Sequence, residues 1–126
     1  MSEAEIDWDS LTFSLTQTDF MYIATCNLGG VWEPGKVLPY GKLEIDPAAG
    51  VLNYGQGIFE GMKAQRSAEG NVVLFRPEEN ARRFQRGADR LGMPPVPESI
   101  FIDAVEQMVA ANNRWIPPTG RGALYI

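Results

Sequence analysis

The apolar positions of this chain follow two periods, one of strands and one of helices. Asp19 to Cys26 (Asp-Phe-Met-Tyr-Ile-Ala-Thr-Cys) is a run of strand formers and predicts a first strand. Lys42-Leu43-Glu44-Ile45 alternates and predicts a short strand with one wet face. Phe59 to Arg66, the turn Glu69-Gly70-Asn71 and Val72-Val73-Leu74-Phe75 together predict a β-hairpin. From Pro77 the period becomes helical: Ala81, Phe84, Ala88 and Leu91 form a buried stripe. Proline suits the first turn, where Glu78 and Glu79 favour the helix dipole. Glu78 with Arg82, and Glu79 with Arg83, are spaced for i,i+4 pairs of about 0.3–0.5 kcal/mol each. Gly92 and the prolines at 94, 95 and 97 end that helix. A second helix is expected from about Glu98 to Asn113, with Phe101, Val105, Met108 and Val109 as its apolar face and Trp115 and Ile116 capping the packing. Ala123-Leu124-Tyr125-Ile126 opens a last strand. The pattern is that of an α+β fold, a mainly antiparallel sheet with two helices packed on it.

Turn chemistry fills the gaps. Asn27-Leu28-Gly29-Gly30 and Glu33-Pro34-Gly35-Lys36 make residues 27–40 a loop or loose hairpin, and Asp46-Pro47-Ala48-Ala49-Gly50 is a break. Residues 1–15 read as an acidic extension that packs back through Trp8, Leu11 and Phe13, and residues 16–126 as one domain. The sequence given stops four residues into an apolar strand, which predicts the front part of something longer, with its last strand truncated.

Composition narrows the chemistry. The 126 residues carry a formal net charge of −5, which argues against nucleic acid as the main partner. The absence of histidine excludes Ser-His and Cys-His nucleophile pairs and histidine metal sites within the chain. The single cysteine, Cys26, can form no internal disulfide, which suits a reducing compartment. No apolar run approaches the ~20 residues of a membrane span. Glu3, Glu5, Asp7 and Asp9 carry the wrong charge for a targeting segment. The chain as given therefore reads as cytoplasmic, with plastid or mitochondrion open to a longer precursor.

The stretch Leu52 to Ala64 (Leu-Asn-Tyr-Gly-Gln-Gly-Ile-Phe-Glu-Gly-Met-Lys-Ala) is the candidate site. It holds three glycines, two aromatics, one acid and one base. The hairpin needs only Gly70, so Gly55, Gly57 and Gly61 serve either ligand lining or a bulge or tight packing. On a strand, residues 59, 61 and 63 share one face, and 60 and 62 the other. Tyr54 and Phe59 are pocket walls or plain core. Lys63 reads as solvated or salt-bridged rather than as a Schiff-base lysine. Arg76 stands between a strand and a proline-started helix, so it forms either a phosphate site with that helix N-terminus or a pair with Glu79. Arg82, Arg83, Arg86 and Arg90 read as a solvated face. The early acids read as a solvated tail, not a metal site.

Two motifs carry a resemblance. Leu52 to Ala64, followed by Leu74-Phe75-Arg76-Pro77-Glu78-Glu79-Asn80-Ala81-Arg82-Arg83, resembles the branched-chain amino-acid aminotransferases, fold-type IV enzymes that use pyridoxal phosphate, and most of all their plant-type members. The likeness runs from about Trp8 to Ile126. It implies the small N-terminal domain of that fold and a homodimer. It also implies exchange of the amino group of leucine, isoleucine or valine with 2-oxoglutarate. By resemblance Arg76 matches the arginine that holds the cofactor phosphate. Tyr54, Phe59 and Gly61 match positions lining the substrate side-chain pocket, and Tyr125 one beside the substrate carboxylate. Lys63 matches a basic position that is not the Schiff-base lysine. That lysine belongs to the family's second, larger domain, so no catalytic residue is expected here and the chain alone is expected to be inactive. Gln17 departs from the family, where an apolar residue is more usual. Two other readings stay open: a non-catalytic module pairing with a full-length homologue, and a fold-type IV D-amino-acid aminotransferase or aminodeoxychorismate lyase. The Asn-Tyr-Gly-Gln-Gly run argues against the last pair.

Overall fold

A computed structural model describes residues 5–126; Met1 to Ala4, and with them Glu3 of the acidic extension, lie outside the described residues. The described residues form two antiparallel sheets and three helices. Strands β1 (Phe20–Ile23) and β2 (Lys36–Pro39) pair with Phe20 opposite Pro39 and Ile23 opposite Lys36. A short helix α1 (Gly50–Tyr54) follows. Strands β3 (Lys63–Arg66), β4 (Val72–Leu74) and β5 (Leu124–Tyr125) form the second sheet in the order β4-β3-β5. Helices α2 (Pro77–Arg90) and α3 (Glu98–Ala111) come between β4 and β5, and a single 3-10 turn, Asn113–Trp115, closes α3.

The helical stripes and the hairpin meet as the sequence predicts, except that Leu91, expected in the buried stripe, is exposed because α2 ends at Arg90. Ala81 and Ala88 of α2 and Val105 and Val109 of α3 are buried. Phe84 meets Phe101 across the helix pair, ring centroids 5.6 Å apart. Ala64, Val105, Val109, Ile116 and Leu124 form the core, so the second sheet lays one face on α3. Gly70 turns the hairpin at φ 85°, with Ser67 N–H bonded to Asn71 C=O at 2.8 Å. At the end of α2, Met93 N–H reaches Ala88 C=O at 2.9 Å and Gly92 N–H reaches Asp89 C=O at 3.2 Å. With Gly92 at φ 67° this is the paired closure that satisfies the last carbonyls of a helix.

Several expectations are corrected. The single sheet is two sheets, because β2 falls inside the stretch 27–40 and pairs only with β1. The strand expected at Lys42–Ile45 is absent: Leu43 and Ile45 are exposed and no strand pairs with them. Alternation marks a strand only where a partner takes its backbone hydrogen bonds. Helix α1 was not anticipated. Strand β3 starts at Lys63, although Met62 still exchanges two hydrogen bonds with Ile126, at 3.0 and 2.9 Å. Phe13 does not pack back but is fully exposed, while Asp9 ties the extension to Arg121 by an ion pair.

Asn112, fully buried, joins the two sheets' halves of the molecule. Its Oδ1 accepts from the N–H groups of Asp19 (3.2 Å) and Phe20 (3.0 Å), and its Nδ2 donates to the carbonyls of Phe20 (3.1 Å) and Met108 (3.0 Å). Beside it, Arg114 grips Asp19 with two hydrogen bonds of 2.5 and 2.7 Å, which hold the Asp19 carboxyl below the usual carboxylate range. An amide that fills all its bonds inside the core costs nothing in desolvation, but its loss strands every partner. Asn112→Ala is expected to lower stability by about 2–4 kcal/mol, at ~1–3 kcal/mol per orphaned backbone group. Equilibrium urea unfolding checks this.

Candidate functional site

The site is built where the second sheet, the segment 55–61 and the head of α2 converge. Segment 55–61 is not part of the sheet. It runs antiparallel along α2 as a strap. The Gln56 side chain donates to Leu91 C=O at 2.9 Å. Ile58 packs against Gly87, where an added Cβ would stand 3.4 Å from Ile58 Cγ2. Glu60 is bound by Arg83 and Asn80. Every second strap residue thus meets a helix residue about one turn further on. Two extended residues rise ~6.6 Å and four helical ones ~6 Å, so the two ladders stay in step. Residues 56, 58 and 60 therefore face the helix, and 57, 59 and 61 face away, with the parity that alternation predicts.

Glu60 is the firmest rung. Its side chain is only 8% exposed. Arg83 binds it through Nε (2.5 Å) and Nη2 (2.7 Å), in the two-pronged geometry that suits guanidinium and carboxylate. Asn80 Nδ2 donates to Oε2 at 2.7 Å and to the Gly61 carbonyl at 3.1 Å, and Gly61 N–H approaches Oε2 at 3.3 Å. The Arg83 hydrogen bonds, helped by Asn80, hold the Glu60 carboxyl below its ordinary value despite burial. Arg83 is therefore not one of a solvated row, and the expected i,i+4 pairs do not form. Glu79 pairs instead with Arg82 (2.6 Å), which also reaches Glu98 (3.5 Å).

The outward face carries the predicted site residues. Phe59 is 88% exposed and Tyr54, at the end of α1, equally so. Neither is core. Gly61 lies beneath Tyr125: a Cβ on Gly61 would come within 2.5 Å of the Tyr125 hydroxyl. Lys63 pairs with Tyr125 in the sheet and is exposed, as read from the sequence. Ala64 pairs with Leu74 on its other side. Strand β4 ends at Leu74, and Arg76 stands two residues beyond it at the head of α2.

Arg76 has the left-handed backbone (φ 47°, ψ 54°), alone among the described non-glycine residues. Such a conformation costs on the order of 1–2 kcal/mol and marks functional sites. It places the guanidinium at the head of α2, with Pro77 in the first turn. The Glu79 contact, 3.7 Å, is too long for a hydrogen bond, and Arg82 already holds the same oxygen. The Arg76 side chain is 67% exposed and its donors face solvent. A helix N-terminus beside an open guanidinium fits a phosphate dianion. No cluster of metal-ligating side chains occurs among the described residues, and none of their helices is long and apolar enough to cross a membrane. Arg83 and Asn80 are the residues that sequence reasoning missed. The signal was Glu60 itself, an acid on the inward parity.

The α+β unit presents an exposed arginine at a helix head and two exposed aromatic side chains, and sequence comparison gives this arrangement a context. No protein-family model matches the chain. It is 54% identical over 123 residues to branched-chain-amino-acid aminotransferase 5, chloroplastic, of Arabidopsis thaliana, covering 98% of this chain and 30% of that protein. It is 53% identical over 123 residues to branched-chain amino acid aminotransferase 2, chloroplastic, of Humulus lupulus, with the same coverage. It is 48% identical over 123 residues to methionine aminotransferase BCAT4 of Arabidopsis thaliana, covering 98% of this chain and 35% of that protein. Nearly the whole chain is thus similar to plant branched-chain aminotransferases, and it spans about a third of their length. Their names place some relatives in chloroplasts and others in mitochondria.

Two outcomes test the geometry. Gly61→Ala is expected to push Tyr125 aside at a cost of about 1–3 kcal/mol, as overpacking does. Tyr125→Phe leaves the nearest ring carbon 3.3 Å from the new Cβ, so the double variant is expected to recover most of that loss in a double-mutant cycle. The second outcome concerns pH. Glu60 has its native pKa below the 4.5 of the unfolded chain, so its stabilisation is complete above 4.5 and lost as pH falls through the native value. Urea midpoints measured down to about pH 3 should decline less steeply in Glu60→Gln.

Proposed function

We propose that this chain is the N-terminal part of a pyridoxal-phosphate-dependent branched-chain aminotransferase. Residues 16–126 contribute the greater part of the small fold-type IV domain, and residues 1–15 an extension before it. The complete enzyme exchanges the amino group of leucine, isoleucine or valine with 2-oxoglutarate as a homodimer. The observation that carries this is Arg76: an arginine in the left-handed backbone conformation at a helix head, its side chain 67% exposed and only loosely paired with Glu79. The similarity to plant branched-chain aminotransferases supports it.

Each residue has a part set by its chemistry. Arg76 and the head of α2 hold the cofactor phosphate. Pyridoxal phosphate, when bound, supplies the electron sink for moving an amino group between amino acid and 2-oxo acid. Phe59 and Tyr54 give an apolar wall for side chains that offer only shape and methyl groups, and exclude water from it. Gly61, having no side chain, lets the Tyr125 hydroxyl lie against that wall. The Tyr125 hydroxyl, above Gly61, is placed to orient the substrate carboxylate. Proton transfer falls to a lysine of the large domain, so the 126 residues bind rather than turn over. Chloroplast and mitochondrion are the compartments to examine.

The test uses the full-length protein that carries this segment. Leucine and 2-oxoglutarate with pyridoxal phosphate are expected to give turnover, and residues 1–126 alone none; turnover by the segment would overturn the division of labour. Arg76→Ala is expected to weaken cofactor binding by about 10–100-fold, since hydrogen bonds to a charged group contribute ~1.5–3 kcal/mol. An unchanged affinity in a cofactor titration removes Arg76 from its role.

A further inference from the structure

We infer that Glu60, Arg83 and Asn80 are positioning residues that set the height of the substrate wall against Tyr125, and so tune selectivity by side-chain length; this rests on the pocket proposed above. The three hold the strap from the α2 side, where Glu60 and Arg83 line a groove together with Ile58, Phe59 and Gly87. Their effect passes through the backbone of one residue. The Gly61 carbonyl accepts from Asn80, and the Gly61 N–H faces Glu60 Oε2. Met62, the next residue, is fixed in both directions by Ile126, the neighbour of Tyr125. Gly61 is thus pinned between α2 and β5. An added Cβ there would stand 2.5 Å from the Tyr125 hydroxyl, so Tyr125 lies against Gly61 and the height of Gly61 sets where that hydroxyl sits.

Glu60 is suited to this task because it has few alternatives. A carboxylate 8% exposed cannot turn to water, and its oxygens already take two bonds from Arg83 and one from Asn80. Arg83 is 64% exposed, so it anchors the carboxylate from the rim without itself entering the wall. Phe59 precedes Glu60 and points the other way, so the clamp also aims the ring. Loss of the clamp loosens the wall and leaves Arg76, on the far side of β3, in place. Long side chains, which reach the wall, feel the change; short ones do not.

The experiment compares full-length protein with its Asn80→Ala and Glu60→Gln variants, the second keeping the shape of the side chain. Hydrogen exchange of the peptide spanning 57–62 is measured with that spanning 98–111 as reference. Steady-state kinetics are measured with leucine and with 2-aminobutyrate, whose side chain is shorter. Exchange in 57–62 is expected to quicken at least about tenfold, since local opening is controlled by the bonds that close it. The leucine to 2-aminobutyrate ratio of kcat/KM is expected to fall about tenfold or more, the scale of one misplaced methylene contact. Cofactor affinity is expected to hold. A proportional loss on both substrates, or exchange that does not change, overturns the inference. Absence of leucine turnover in the unaltered protein overturns the function itself, and the exchange data distinguish that result from failure of the clamp.

Discussion

One buried carboxylate decides which side of the 56–61 strap meets α2. Glu60 could not sit outward without breaking three charge-assisted or amide hydrogen bonds, and Arg83 and Asn80 offer it a site on one helix face alone. Once Glu60 is placed, alternation places the rest. Ile58 goes to Gly87, Gln56 to the last carbonyls of α2, and Phe59 and Gly61 to the open side. A one-residue slip would reverse every one of these assignments. The strap is held by the sheet only where it ends, through Met62 and Ile126, and along its length by the helix through side chains.

The helices and the second sheet were legible because their signals are local or repeat. Pro77, Glu78, Glu79 and Gly92 mark both ends of α2, and the stripe Ala81, Phe84, Ala88 declares its inner face. The hairpin announced itself through Gly70. What could not be read depends on partners distant in sequence. Lys42–Ile45 alternates as well as any strand, yet nothing lies beside it, while β2 looks like turn sequence and becomes a strand because β1 is there to pair. Of the candidate site residues, Gly61 and Tyr125 meet and Tyr54 and Phe59 are exposed, whereas Arg83 looked like one more surface arginine until its partner 23 residues earlier was placed.

Arg76 shows a second kind of information. Its left-handed backbone cannot be inferred from residue type, since arginine gains nothing from that conformation. It follows from joining a strand to a proline-started helix without a linker. Asparagine or glycine would make the corner at less cost.

Asn112 has a consequence for how the molecule is made. Its partners, Asp19 and Phe20, lie 92–93 residues earlier in the chain. The second sheet closes likewise only when β5 reaches β3. A nascent chain leaving the ribosome can coil α2 and turn the Gly70 hairpin as each emerges, because those contacts are short-range. The first sheet can pair as soon as Lys36–Pro39 emerges, but its anchor is synthesised about ninety residues after Phe20. Until then the β1–β2 pair has no helix to seat on, so its docking against α3 is a late step of folding.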